Sequence, residues 1–189
     1  MMHIDLSSML RQTLSCELYS NLVTRPTGAA VRSQIEALLA DARERSLTVI
    51  DFSHVGMIDF SCADEVVAKL LLRYAAVERV DREAYFLFRG VTDDHWDAIE
   101  TVLERHGLAL VLETADGARV VGMMDDGERA AWEKVYEMGR TDPADLASAL
   151  GGDESDALAL LDSLHRRRLV MRTDDDGYVA VGGVEVRHD

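Results

Sequence analysis

Apolar residues along this chain change period from one stretch to the next, and the changes predict its elements. From Thr27 or Gly28 to about Arg45, Val31, Ile35, Leu38, Leu39 and Ala42 recur at helical spacing, which predicts a helix with one apolar face. Leu47 to Phe52 then reads as a buried strand. Ser61 to about Tyr74 reads as a helix with Val66, Val67, Leu70 and Leu71 inward, and Ala84 to Val91 as the next strand. Strand, helix and strand in that order imply a parallel crossover. Thr92 to His106 predicts a third helix, begun by Thr92-Asp93-Asp94 and closed by Gly107, with Trp96, Ile99, Val102 and Leu103 on one side. Leu108 to Leu112 returns as a strand, and Ala118 to Met123 adds an edge strand after the Asp116-Gly117 turn. Ile4, Leu6 and Met9, with Leu18 to Val23, are expected to supply one or two further strands.

The pattern changes after the polar break Asp125-Asp126-Gly127. Glu128 to Gly139 reads as a helix, and Asp142-Pro143 opens a second that runs through Leu150, with Pro at the first helical position. Gly151-Gly152 is a turn, and Asp153 or Glu154 to about Arg168 is a helix with Ala157, Leu160, Leu161 and Leu164 on one side. Leu169 to Met171 and Tyr178 to Val181 flank Thr173 to Gly177 as a hairpin. Two domains are therefore expected, residues 1–124 and 125–189.

Composition narrows the functional classes. The 189 residues, 48% of them hydrophobic, suit ordinary globular folding, and no run approaches the apolar length that spans a bilayer. Met1 to Leu10 lacks a signal-peptide pattern, so a cytoplasmic location is expected. Cys16 and Cys62 have no CxxC spacing and read as small apolar residues; no metal and no cofactor is implied. The net charge of −15 disfavours general attraction to nucleic acid or an anionic membrane and favours partners with basic patches.

The chemistry-bearing stretch is Leu47 to Leu72, where a strand leads to a helix opened by Ser61. Ser61 reads as the N-cap, with Asp64 three residues on as a variant capping box. Val49-Ile50-Asp51-Phe52-Ser53 with Val55, Ile58-Asp59, and Ala63-Asp64-Glu65 resemble the STAS family, the fold of bacterial anti-sigma-factor antagonists, over roughly Asn21 to Leu112. The resemblance implies an α/β fold with a mixed sheet. By position Ser61 matches the serine that those antagonists carry phosphorylated, and Asp59 the aspartate before it; Cys62 departs from the pattern. Asp59, Ser61, Cys62, Asp64 and Glu65 are then the expected partner-binding residues, and the implied partner is an ATPase-type anti-sigma factor or sensor kinase. Arg25 lies before the first long helix, in a stretch that reads as an ordinary connecting loop or, with Gly28 beside helix-start threonines, as a place for an anion.

Residues 125 to 182 resemble a winged helix-turn-helix, a small α+β fold. The turn that would enter a DNA groove shows Asp153, Glu154 and Asp156, and the wing tip Asp174, Asp175 and Asp176. From Asp125 onward there are 16 acidic against 8 basic residues. Arg166, Arg167 and Arg168 are the one basic cluster available for a nucleic-acid backbone, and a helix C-terminus stabilises such cations anyway. A protein-docking or self-associating module, including a homodimer, fits this charge better than a DNA reader.

Catalysis needs convergent groups, and the chain has no GxSxG, HExxH or phosphate-cradling glycine loop. His54, seven residues before Ser61, reads as a solvated loop residue, and His3, His95, His106, His165 and His188 as exposed. The sequence therefore points to a binding protein, with a DNA-binding regulator as the alternative.

Overall fold

The computed structural model describes residues 1–6, 9, 21–40, 45–75 and 83–183. The expectations for Cys16, His188 and the start of Leu18 to Val23 lie outside them. The elements are β1 (Met2–Asp5), β2 (Asn21–Leu22), α1 (Arg25–Ala40), β3 (Arg45–Asp51), β4 (Met57–Ile58), α2 (residues 60–75), β5 (Glu83–Arg89), α3 (Asp93–His106), β6 (Ala109–Thr114) and β7 (Gly117–Gly122). After these come α4 (Asp126–Met138), β8 (Arg140–Thr141), α5 (Pro143–Leu150), α6 (Glu154–Arg166), β9 (Val170–Arg172) and β10 (Tyr178–Ala180).

The fold is mixed α/β. Five strands form a sheet in the order β1-β3-β5-β6-β7, parallel except for the β6–β7 hairpin. Alternate residues of a strand face opposite sides, and here both sides are covered. Ile50, Phe86, Phe88, Leu110 and Leu112 enter a core with α1, α2 and α3. Val49, Tyr85, Leu87, Ala109, Val111 and Val120 enter a second core with Trp132 and Val135 of α4, Leu161 and Leu164 of α6, and Val170, Tyr178 and Ala180 of the terminal hairpin. The residues after 125 thus supply the layer over the sheet's second face.

Within that layer Asp125, Asp142 and Asp153 cap α4, α5 and α6, each accepting from the backbone N–H three residues on. Part of the acidity of this region is helix capping. The short β8, absent from the sequence reading, joins β10 and β9 in an antiparallel sheet of order β8-β10-β9. Trp132 donates its indole N–H to the Leu169 carbonyl at 3.0 Å.

The open side of β7 is occupied by α4. The Ala118 N–H donates to the Tyr136 hydroxyl at 3.0 Å, and Arg129 donates to the Val120 carbonyl at 3.1 Å. Among the described residues no helix is long and apolar enough to cross a membrane, and no group of three or more His, Cys, Asp or Glu is placed to hold a metal ion.

Candidate functional site

Two helix starts are brought side by side by a minimal sheet. β2 pairs with β4 in parallel, Leu22 opposite Ile58, and the Asp59 N–H donates to the Leu22 carbonyl at 2.9 Å. α1 and α2 therefore begin next to each other. Their crossing is close, because a Cβ on Gly28 would lie 2.9 Å from the Cys62 Cα. Gly28 is a buried helix-contact residue whose N–H donates to the Thr24 carbonyl at 3.2 Å.

Asp59 caps α2, which corrects the assignment of Ser61 as N-cap. Asp59 Oδ1 accepts from the Cys62 N–H and from the Ser61 hydroxyl, both at 2.8 Å, while Oδ2 accepts from the Thr24 N–H at 3.0 Å. Burial alone would raise the Asp59 carboxyl, but these donors outweigh it and hold it below the usual carboxylate range. Ser61 is half-buried at the helix start, inside the first turn. Earlier in the chain Met57 is 48% exposed, and at the neighbouring Phe60 the Arg105 guanidinium lies over the ring at 5.6 Å.

Cys62 is 0% exposed and its thiol donates to the Thr24 carbonyl at 2.9 Å. Burial and the Asp59 charge push the thiol up to about 12. It belongs to the helix crossing and not to a contact surface, a correction of its expected role.

Asp64 and Glu65 are also internal. Phe60–Ala63 and Leu70–Ala75 are α-helical, but Asp64–Lys69 is wound as a π-helix, and Asp64 to Ala68 are all buried. Such turns recur at functional sites; here one sets two adjacent carboxylates among cations. Arg25 donates to both, at 2.8 Å each. His106 lies 2.8 Å from Asp64, Arg32 donates to Glu65 at 3.2 Å, and Lys69 also bonds Glu65. The two acids were expected to contact a partner; in the fold they are an internal ion network with only its cations reaching the surface.

Burial works to raise both carboxyls, but hydrogen bonds from Arg25, His106 and Lys69 lower them below their ordinary values. A carboxyl lowered in the folded state adds stability above its unfolded pKa and loses it as pH falls through the folded pKa. Stability is therefore expected to stay level above about pH 5 and to decline below about pH 4.3. Asp64→Asn should flatten that decline, read as the difference in urea midpoint between pH 7 and pH 3.5.

At the carboxyl ends of the parallel strands Asp51 is held the same way. Burial opposes ionisation, yet Ser53 and Arg89 hold the carboxyl far below the usual range, and His3 lies 2.9 Å away. His54 is exposed beside Asp5 at 3.7 Å, not beside Ser61. His95, expected at the surface, is 0% exposed. Its Nδ1 accepts from the Thr92 N–H at 3.1 Å, so Nε2 donates to the Val55 carbonyl at 2.9 Å. The signal for this was Thr92 three residues before His95 at the helix start, a capping box with imidazole in place of a carboxylate. His106 and His165, also expected at the surface, are half-buried.

Of the three arginines expected to meet a nucleic acid, only Arg166 is exposed. Arg167 pairs with Glu128 at 2.5 Å and also donates to the Met123 carbonyl. Arg168 donates to the Tyr74 carbonyl at 3.0 Å and lies over the Tyr85 ring at 5.5 Å. Both hold the C-terminal layer in place, which corrects their reading as phosphate contacts. A cavity of about 210 Å³ between β7 and α4, lined by Arg119, Arg129, Trp132 and Tyr136 among others, includes none of the α2 residues.

No family model matches this chain, and no characterised protein matches it in sequence.

Proposed function

We propose that the chain is a regulatory protein-binding module of STAS-like type, joined to a winged-helix-like layer, and that it docks an ATPase-type kinase at the start of α2. The observation that carries this reading is the placement of Ser61. Ser61 lies half-buried at a helix start, at the end of the β3–β4 approach, its hydroxyl bonded to Asp59, with Phe60 next to it in the chain and Met57 exposed four residues before it. The element order supports it: parallel strands alternate with helices through α3. The order α4-β8-α5-α6-β9-β10, with strands arranged β8-β10-β9, supports the winged-helix likeness of the remainder.

A phosphate on Ser61 adds about −1.5 to −2 charge at this helix start. A partner surface that is acidic or apolar is repelled, and one carrying arginines is attracted, so reversible phosphorylation exchanges partners. The alternative, a DNA-binding regulator, is weakened by the engagement of Arg167 and Arg168 inside the fold and by the acids at the α6 start and the wing tip.

The test begins with affinity purification of the tagged chain from its native cytosol, with mass spectrometry of co-purifying proteins and of the peptide carrying Ser61. An ATPase-type kinase is the expected companion. Ser61→Asp is then expected to weaken its binding by about tenfold, equivalent to ~1.4 kcal/mol of like-charge cost, with Ser61→Ala near the parent. If both variants bind as the parent does, the switch reading is wrong. Recovery of nuclease-sensitive DNA complexes, with steeply salt-dependent binding, would favour the alternative.

A further inference from the structure

The turn between β2 and α1 is strained where it meets Ser61. Thr24 has φ of 75°, a left-handed conformation that β-branched residues rarely adopt. Strain of this kind persists only where the surroundings over-determine it. Three bonds do so here. The Thr24 N–H donates to Asp59 Oδ2 at 3.0 Å, and the Thr24 carbonyl accepts from the Cys62 thiol at 2.9 Å and from the Gly28 N–H at 3.2 Å. The other oxygen of the same Asp59 carboxylate holds the Ser61 hydroxyl. One side chain therefore links the modifiable atom to the strained turn, and the residue after that turn is Arg25, which bridges Asp64 and Glu65.

We propose that Asp59 is a latch: a phosphoryl group on Ser61 releases the Thr24 turn and draws Arg25 off the Asp64–Glu65 pair onto the phosphate. This rests on the reading of Ser61 as a phosphorylated residue. In the triggering step the γ-phosphoryl group of ATP passes to Ser61 Oγ under a kinase. The Oγ–P bond forms, the bond from the γ-phosphorus to its bridging oxygen breaks, ADP leaves, and the hydroxyl proton goes to a base of the kinase. That proton is the one Asp59 Oδ1 now accepts. Its loss turns an attraction into repulsion between two anions at hydrogen-bond range. Asp59 withdraws from the Thr24 N–H, and the turn relaxes to negative φ. Asp64 stands three residues from Ser61, a rise of about 4.5 Å along the helix, so the guanidinium on Asp64 moves roughly one turn to reach the phosphate. Arginine then gains the planar, two-bond pairing that phosphate offers.

Cys62 reports the opening, because its buried thiol is covered by Thr24 and kept protonated, hence inert to thiol reagents. With Cys16→Ser, Cys62 is the sole thiol among the 189 residues. Genetically encoded phosphoserine at 61 is expected to raise the rate of Cys62 modification by an aromatic disulfide about tenfold or more over the serine form, through local opening. Asp59→Asn, similar in shape but uncharged, is expected to raise it several-fold without any phosphate. Both proteins folded by circular dichroism and as unreactive as the parent would overturn the latch. Affinity for the captured kinase on the same samples separates the two readings. Weakened binding with Cys62 still closed overturns the latch and spares the docking reading. An opened Cys62 with unchanged affinity upholds the latch and overturns the partner switch.

Discussion

A fragment ending at Met124 is expected to lose its native fold, the largest effect the structure predicts. Removing the C-terminal layer bares Val49, Tyr85, Leu87, Ala109, Val111 and Val120, which fill the second core in the whole chain. At about 1.5–3 kcal/mol for each large apolar side chain, the loss is on the order of 10 kcal/mol, comparable to the whole stability of a typical domain. Polar ties go with it, among them Arg168 to the Tyr74 carbonyl and Arg129 to β7. The fragment should bind an apolar dye and lack a cooperative urea transition. A sigmoidal transition with a midpoint near that of the full chain would show that the sheet needs no cover on that face.

Glu65→Ala is expected to cost about 2–3 kcal/mol of stability, at or below the lower end for breaking a buried ion pair. Glu65 is 2% exposed and accepts from Arg25, Arg32 and Lys69. Alanine leaves three cations around an apolar gap. The figure stays low because Arg25 and Lys69 are nearly half in water, where solvent screens the pair and rehydrates the survivor. A shift in urea midpoint at pH 7 with an unchanged slope would carry the result. Glu65→Gln should fall between parent and alanine, since the amide still accepts from one donor, and a variant as stable as the parent would mean that the network is neutral.

Much of the sheet and its helices was legible in the sequence because strand and helix periods differ, and β3, β5, α3 and the terminal hairpin fall within a few residues of where the pattern puts them. The runs of β3 and β5 are apolar on alternate residues of both faces. A strand apolar on both sides needs two covers, and the first three helices supply only one. The sequence reading put the cap of α2 at Ser61, although aspartate caps a helix as well as serine does and Asp59 stands two positions before it. Local preference does not choose between them; the β2–β4 pairing does, by fixing the Asp59 N–H on Leu22. Asp64 and Glu65 looked like surface acids because helix first turns favour carboxylates. Apart from Lys69, four residues on from Glu65, their cations sit on α1 and α3, 33 to 42 positions away, and only the tertiary fold brings Arg25, Arg32 and His106 to them. His95 was misplaced on both counts: its local partner is Thr92, but imidazole is an uncommon capping group, and its other nitrogen meets the Val55 carbonyl 40 positions away.

The side chains of α4 along β7 bear on how copies of this chain meet. A sheet margin with free amides and carbonyls is a template on which another molecule's strand can crystallise, the first step toward fibrils and swapped dimers. Tyr136 and Arg129 plug that template with groups of their own chain. At the high local concentrations of a freshly translated or clustered protein, a neighbour's strand would have to displace these two side chains before it could bond Ala118 and Val120.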